Sequence, residues 1–393
     1  MKIAILIGDG MGDYALPELG GLTPLQKADI PVIRSLAAAG LTRLVQTIPD
    51  GMAPGSDVAN LSMMGFDPHP CYTGRAPIEA AGAGVPMEIE DVAFRCNLIT
   101  VENERMVDHS GGHISTEEAR PIIDTLQSEL GRKGLRFASG ASYRHLVIWD
   151  RGPVGATTTP PHDVLGQTKA LHLPRGEGAE ALQGLMEASR PILERHPVIQ
   201  ARRAAGKKGP TQIWLWGQGK KTVLPNFKDR YGLRGAVISA VDLVRGIGLL
   251  AGLKAPRIPG ATGWVDTNYA AKVSAALGAL EHDDFVFVHV EAPDECAHVG
   301  RLDLKLQAIE AFDREVAGPM YRGLQALKVP YRLIIGTDHR TPVTLRNHTI
   351  EPVPLTVVEG PVAVTGRAAA FDETVNGGHA QAVAYQWIHQ LLS

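Results

Sequence analysis

The sequence predicts an α/β fold, on three observations. Short apolar runs stop at acidic residues or histidine in three widely separated places: "KIAILI" (2–7) runs into "GDGMGD", and "DFVFVHVEAPD" (284–294) and "YRLIIGTDH" (331–339) have the same form. Runs apolar at successive positions suit strands buried on both faces, as in a parallel sheet. Stretches with helical spacing of apolar residues fall between and after them, and alternating strands and helices define the class.

Taken in order, strand 2–7 comes first and delivers Asp9 at its carboxyl end. "MAPGSDVANLSMMGFDP" (52–68) follows, with Pro54 and Gly55 predicting a tight turn and Ser56 placed as the N-cap of a helix running to about Gly65. "STEEARPIIDTLQSELGRKG" (115–134) opens on Ser115-x-x-Glu118, a capping-box pattern. Residues 136–235 differ in texture: "YRHLVIWDRG", "TTTPPHD", a helical stretch near 178–205 and "TQIWLWGQGKK". The acidic–histidine strand ends lie before and after this region, never within it. An inserted α/β unit at roughly 75–235 is therefore expected, with 1–74 and 236–393 forming the core. The chain closes on the predicted helices 301–327 and 379–392, with His379 as a helix-start residue.

The 393 residues are 44% hydrophobic and 21% charged, with a net charge of −3. A nucleic-acid partner would need a basic surplus or stripe, and the densest basic stretch, Arg202 to Lys208, suits a solvated helix end or loop. Three cysteines, Cys71, Cys96 and Cys296, form no C-x-x-C pair, so neither a zinc knuckle nor a disulfide framework is implied. The apolar run before Gly8 is too short for a signal-peptide core. No window approaches the ~20 apolar residues of a membrane span; "VDLVRGIGLLAGL" (241–253) carries Asp242 and Arg245. These features predict a cytoplasmic protein without membrane association and leave its oligomeric state open.

The chemistry lies in the strand ends. Asp294 and His298 stand four apart, a spacing that shares one helical face or one loop; Asp338 and His339 are adjacent; His348 and Asp9 complete the set. Mixed carboxylates and imidazoles suit Mn2+, Zn2+ or Fe2+ better than Ca2+ or Mg2+. The set exceeds one ion's usual protein ligands, so two ions are the natural reading, and paired ions favour in-line phosphoryl displacement. Each residue alone has a structural use: Asp9 could cap a helix and His348 could sit in a loop. Gathered at three strand ends, they read better as ligands. Ser56 at a helix start would face N–H groups that attract anions, and its hydroxyl needs a base or a metal to become a nucleophile. Without the metal residues it reads as a plain cap. Ser62 is expected to pack or to bond back to the preceding turn. Asp57 could orient the turn, and Asn60 could meet substrate or cap locally.

Five motifs, "GDGMGD" (8–13), "APGSDVANLSMMGFDP" (53–68), "EAPDECAHVG" (291–300), "GTDHRTP" (336–342) and "HTIEPVP" (348–354), with "WLWGQGKK" and "PGATGWVDTNY", carry a resemblance along the chain. Together they resemble the 2,3-bisphosphoglycerate-independent phosphoglycerate mutases of the archaeal type, within the alkaline phosphatase superfamily. The resemblance implies a phosphatase-like core sheet with helices on both faces, an inserted α/β cap, and two divalent ions, commonly Mn2+, with Zn2+, Mg2+ or Co2+ as substitutes. No 2,3-bisphosphoglycerate is then required. By position, Asp9, Ser56, Asp338 and His339 would hold one ion and Asp294, His298 and His348 the other. Ser56 would be transiently phosphorylated, passing phosphate between the two hydroxyls of a small phosphoester substrate.

Arg75, Arg144, His145, His162, Asp163 and Lys220 are candidate substrate-binding groups by residue type. His109 in "DHSGGH" is superficially similar to a cap histidine of the bacterial mutases. The chain also resembles a bacterial branch proposed to act as a homoserine kinase, whose metal residues would be the same. "GQGKKT" (217–222) misses a P-loop, having Lys221 where Ser or Thr is required. A metal-dependent phosphomonoesterase or phosphopentomutase of the same superfamily would also use these metal residues. A non-catalytic metal- or anion-binding protein is disfavoured, because every catalytic position implied by the resemblance is filled.

Overall fold

The computed structural model describes residues 1–362 and 368–393. The chain forms two compact units, residues 1–72 with 223–393, and residues 73–222. The second boundary differs from the 235 expected on the sequence. Residues 223–235 belong to the first unit because Phe227 packs there, its ring 4.6 Å from that of Phe285 and 6.3 Å from that of Phe66.

Among the described residues, the first unit carries a seven-stranded sheet built from β1 (Lys2–Gly8), β2 (Leu41–Gln46), β3 (Gly235–Ile238), β4 (Phe285–Val290), β5 (Tyr331–Gly336), β6 (Val353–Gly360) and β7 (Ala382–Val383). Their order across the sheet is β3, β4, β1, β5, β6, β2, β7. β1 is central and parallel to both neighbours, pairing Ile3 with Phe285 on one side and Arg332 on the other. Only a strand covered on both faces can be apolar at successive positions, and Ile3 to Ile7 are all buried. β6 runs antiparallel to β5 and β2. Because β4, β1 and β5 are parallel neighbours, Asp9, Glu291 and Asp338 leave the sheet along one edge.

Two helical expectations change in detail. The 301–327 stretch divides into a helix at Leu302–Ala311, a π-helical segment at Phe312–Ala317 and a helix at Gly318–Ala326. The last helix is Ala384–Leu392, capped at Val383. His379 is an exposed residue before it and does not start a helix; residues 382–383 are first drawn into the sheet beside β2.

In the second unit the twelve-residue strand Asp91–Glu102 is the hub, pairing antiparallel with Arg105–Asp108, Arg144–Asp150 and Gln212–Lys220. Strand alternation sorts its side chains. Val92, Phe94, Cys96 and Leu98 enter a core with Leu182, Met186 and Trp214. Ala93 turns the other way, against Ala76 and Ala80 of the helix Arg75–Ala83. The helix Thr116–Leu130 begins on the capping box of Ser115 and Glu118.

Candidate metal centre

Asp9 follows β1 and is fully buried. Gly10 then turns the chain at φ 59°, and its N–H donates to Asp338 Oδ1 at 3.0 Å. A Cβ there would lie 2.6 Å from Asp294 Oδ1 and Thr341 Oγ1, so the close approach of three loops requires glycine. β4 leads into the helix Ala292–His298, which sets Asp294 and His298 on one face. β5 leads into Asp338 and His339, both fully buried.

A buried lysine from another helix ties these loops together. Lys305 Nζ donates to Gly12 O at 2.9 Å, Asp13 Oδ2 at 2.9 Å and Thr341 O at 2.8 Å.

The sequence-predicted ligands meet. His339 Nε2 lies 3.3 Å from Asp9 Oδ1 and 3.5 Å from Asp338 Oδ2. His298 Nε2 lies 3.1 Å from Asp294 Oδ2 and 3.0 Å from His348 Nε2, and His348 Nε2 is 3.5 Å from Asp294 Oδ1. His339 and His348 rings approach to 4.2 Å between centroids and link the two groups. Thr341 donates to Asp294 Oδ1 at 2.6 Å and meets His339 Nδ1 at 3.1 Å, orienting both.

Ser56 is not the helix cap. Gly55 is the cap, Ser56 is the first residue of the helix Ser56–Met63, and its side chain makes no capping bond. The hydroxyl instead lies 3.2 Å from His339 Nε2. Asn60, one turn on, donates to Ser56 O and to Asp338 Oδ2, each at 2.8 Å. Asp57 accepts from Tyr72 OH at 2.6 Å and from Val58 N at 2.9 Å. Ser62 is buried with no hydrogen-bond partner for its hydroxyl, so it packs without bonding back.

The electrostatics are those of crowded carboxylates. Burial, then Asp338, Glu291 and Asp294, push the Asp9 carboxyl well above its ordinary range. Burial also raises Asp338 and holds His339 well below the usual imidazole value. At Asp294 burial is overcome by His298 and His348, which hold the carboxyl well down. Burial likewise opposes protonation of His298, but Asp294 prevails and raises it to about 9. The donor set fits divalent ions. Both Asp9 carboxylate oxygens are buried without a hydrogen bond, an arrangement a cation would relieve. Among the described residues, Asp9, Asp338 and His339 form one group of convergent ligand atoms and Asp294, His339 and His348 another, each within 4.8 Å.

A third group, Asp9 with His289 and Glu291, went unseen on the sequence. His289 lies inside β4, and "HVE" spacing puts it and Glu291 on one side of the chain, a signal available in principle.

The candidate substrate residues all lie in the second unit. Arg75 pairs with Glu79 at 2.8 Å, as does Arg95, a residue the sequence did not single out. The Arg95 guanidinium stacks over Trp216 at 4.2 Å, and that of Arg144 over Tyr143 at 4.6 Å. Arg95, Arg75 and Arg144 all act on the partly buried Glu79, whose carboxyl they hold below its ordinary value against desolvation. His162 packs 5.5 Å from Trp216 and 6.2 Å from His109, and lies 3.6 Å from Asp163. His145 and Lys220 stand apart. His145 is buried opposite Cys96, accepting from Gly140 N at 3.0 Å, and Lys220 pairs with Glu90 at 3.7 Å.

Fold and site together define the class: an α/β protein whose parallel strands gather, at one sheet edge, a centre able to hold divalent metal ions beside a helix-start serine. Residues 37–199 match the family model described as 2,3-bisphosphoglycerate-independent phosphoglycerate mutase. The chain is 49% identical over 377 residues to a probable mutase of that name from Geobacter sulfurreducens, covering 95% of this chain and 94% of that protein. It is also 49% identical over 375 residues to the mutase from Methanosarcina acetivorans, with the same coverages. The chain belongs to the 2,3-bisphosphoglycerate-independent phosphoglycerate mutase family.

The solved structure of PH0037 protein from Pyrococcus horikoshii is similar with a TM-score of 0.81 and 30% identity, over 100% of this chain and 97% of that one. The fold is shared with the cofactor-independent phosphoglycerate mutase from Thermoplasma acidophilum, at TM-score 0.63 and 23% identity, over 100% and 99% of the two chains.

Proposed function

We propose that this protein interconverts 3-phosphoglycerate and 2-phosphoglycerate through a phosphoserine at Ser56, as a cytoplasmic isomerase working without 2,3-bisphosphoglycerate. The observation that carries the reading is the convergence of Ser56 Oγ with His339, Asp9 and Asp338 in a chain of this family. Asp9, Ser56, Asp338 and His339 would hold one ion, and Asp294, His298 and His348 the second, with Mn2+ the expected metal. Bound ions would supply Lewis acidity, favouring the serine alkoxide and neutralising charge on the phosphoryl group.

The chain's own residues do the rest. Ser56 Oγ gives up its proton and attacks the substrate phosphorus as the bond to the glycerate oxygen breaks, and the departing oxygen takes up a proton in exchange. Held glycerate reorients, and its other hydroxyl attacks the phosphoserine, surrendering a proton and restoring Ser56. The fixed helix start holds Oγ in place, and Asn60 steadies Asp338 beside it. The inserted unit takes the substrate-binding role, with Arg75 and Arg144 as cationic groups for carboxylate or phosphate and His162 and Asp163 beside them; the geometry lends less support to His145 and Lys220.

The test is direct. Purified protein with Mn2+ and 3-phosphoglycerate, without added bisphosphoglycerate, should yield 2-phosphoglycerate, and chelation should abolish this with recovery on metal return. Product only from homoserine with ATP, or only free phosphate from generic phosphoesters, would overturn the reading.

A further inference from the structure

We propose that Thr341 is a positioning residue that keeps the His339 ring in the tautomer with its proton on Nδ1 and ties that ring to Asp294, so that one hydroxyl sets a ligand of each ion. The link between ions rests on the two-ion reading; the ring assignment does not. Thr341 is fully buried. Arg340 makes single β-bridges with Gly12 and Thr349, so the chain is extended there. His339 and Thr341 therefore fall on one side, while Arg340 turns away and donates to Pro352 O at 2.9 Å.

The tautomer follows from counting protons. A hydroxyl has one proton to give and lone pairs to receive with, and a neutral imidazole carries its proton on one nitrogen only. Thr341 Oγ1 gives its proton to Asp294 Oδ1 at 2.6 Å. Toward His339 Nδ1, 3.1 Å away, it can then only accept, so the ring proton sits on Nδ1. Nε2 is left bare. It is the nitrogen that faces Ser56 Oγ at 3.2 Å and Asp9 Oδ1 at 3.3 Å. The opposite tautomer would turn an N–H toward the ion's place and set two lone pairs against each other at Thr341. The hydroxyl is also held from moving away. Thr341 N donates to Gly12 O at 3.0 Å, and Lys305 Nζ donates to Thr341 O at 2.8 Å. The loop at Gly10 closes on Oγ1 from another side, leaving room there for a glycine only. The buried lysine thus acts on the centre through Thr341. Fixing the second nitrogen of a ligand histidine in this way sets which nitrogen meets the metal.

The full chain, labelled with 15N-histidine and stripped with chelator, should show His339 protonated on Nδ1 and bare on Nε2 by NMR. Its signal is identified by absence from His339→Gln. Thr341→Val keeps the shape and removes the hydroxyl; it should lose that ring signature and bind both Mn2+ ions about 10–100-fold more weakly. Thr341→Ser keeps the hydroxyl and should retain the signature and the affinity. A wild-type ring protonated on Nε2 overturns the assignment without any variant. Valine binding Mn2+ as tightly as wild type, or serine failing as valine does, overturns the positioning role. A wild type that binds no Mn2+ refutes the two-ion reading and the link between ions, while the NMR result still decides the tautomer.

Discussion

Ser56 Oγ stands 3.2 Å from His339 Nε2, although 283 residues separate the two in the chain. Ser56→Ala removes the proposed phosphate acceptor and leaves the helix, whose cap is Gly55. Mutase turnover should fall by roughly a thousandfold or more with the melting temperature unchanged. Trapping with labelled 3-phosphoglycerate should label Ser56 in the wild type. Full activity in the variant would refute the assignment.

Asn60 bridges Ser56 O and Asp338 Oδ2 and is a positioning residue. Asn60→Ala should weaken metal binding by about 10–100-fold, as loss of a ligand's hydrogen-bond partner does elsewhere. A Mn2+ titration read by electron paramagnetic resonance checks this. An unchanged Mn2+ affinity together with a lowered melting temperature would make Asn60 merely structural.

Lys305 and Asp13 are a fully buried ion pair. Lys305→Met leaves Asp13 without its counter-charge and should cost about 3–5 kcal/mol in urea unfolding of the first unit. Lys305→Met with Asp13→Asn should recover part of that loss. No loss in the single variant would show that the clamp contributes nothing.

His145 gives the inserted unit an acid sensitivity. Burial pushes its imidazole down to about 4. An unfolded chain takes up that proton near pH 6.5 and the folded one does not, so stability is intact above pH 6.5 and falls toward pH 4. The loss approaches about 3 kcal/mol at the bottom of that window. His145→Leu should flatten this part of the denaturation-versus-pH curve, and an identical slope in both proteins would refute the claim.

Much of this was legible in the sequence because burial on both faces leaves an unbroken apolar run, and three such runs end where a candidate ligand begins. β1, β4 and β5 were found that way, and with them Asp9, Asp294, Asp338 and His339. His289 escaped because it lies within such a run, where a histidine reads as an interruption rather than a donor. The boundary at 222 was missed because Phe227 joins the first unit through aromatic packing with Phe66 and Phe285, a long-range contact with no local pattern. Arg95 was hidden in a mostly apolar strand, where its partner Glu79, on a separate helix, explains a buried guanidinium. Ser56 was located to the right turn but one residue off the cap, since serine and glycine both serve there.

β1 sits between two strands that the ribosome makes about 280 and 330 residues after it. At about 5–20 residues per second, His339 leaves the peptidyl-transferase centre about 15–60 s after Ser56. For most of that interval β1 has neither of its partners, while residues 73–222 can already build their own sheet. A nascent chain of this protein is therefore half finished in a particular sense: one unit can be native while the other waits as an unpaired strand. Translation arrest before residue 285 would strand a product with an unpaired β1, the species for which a holdase chaperone would compete.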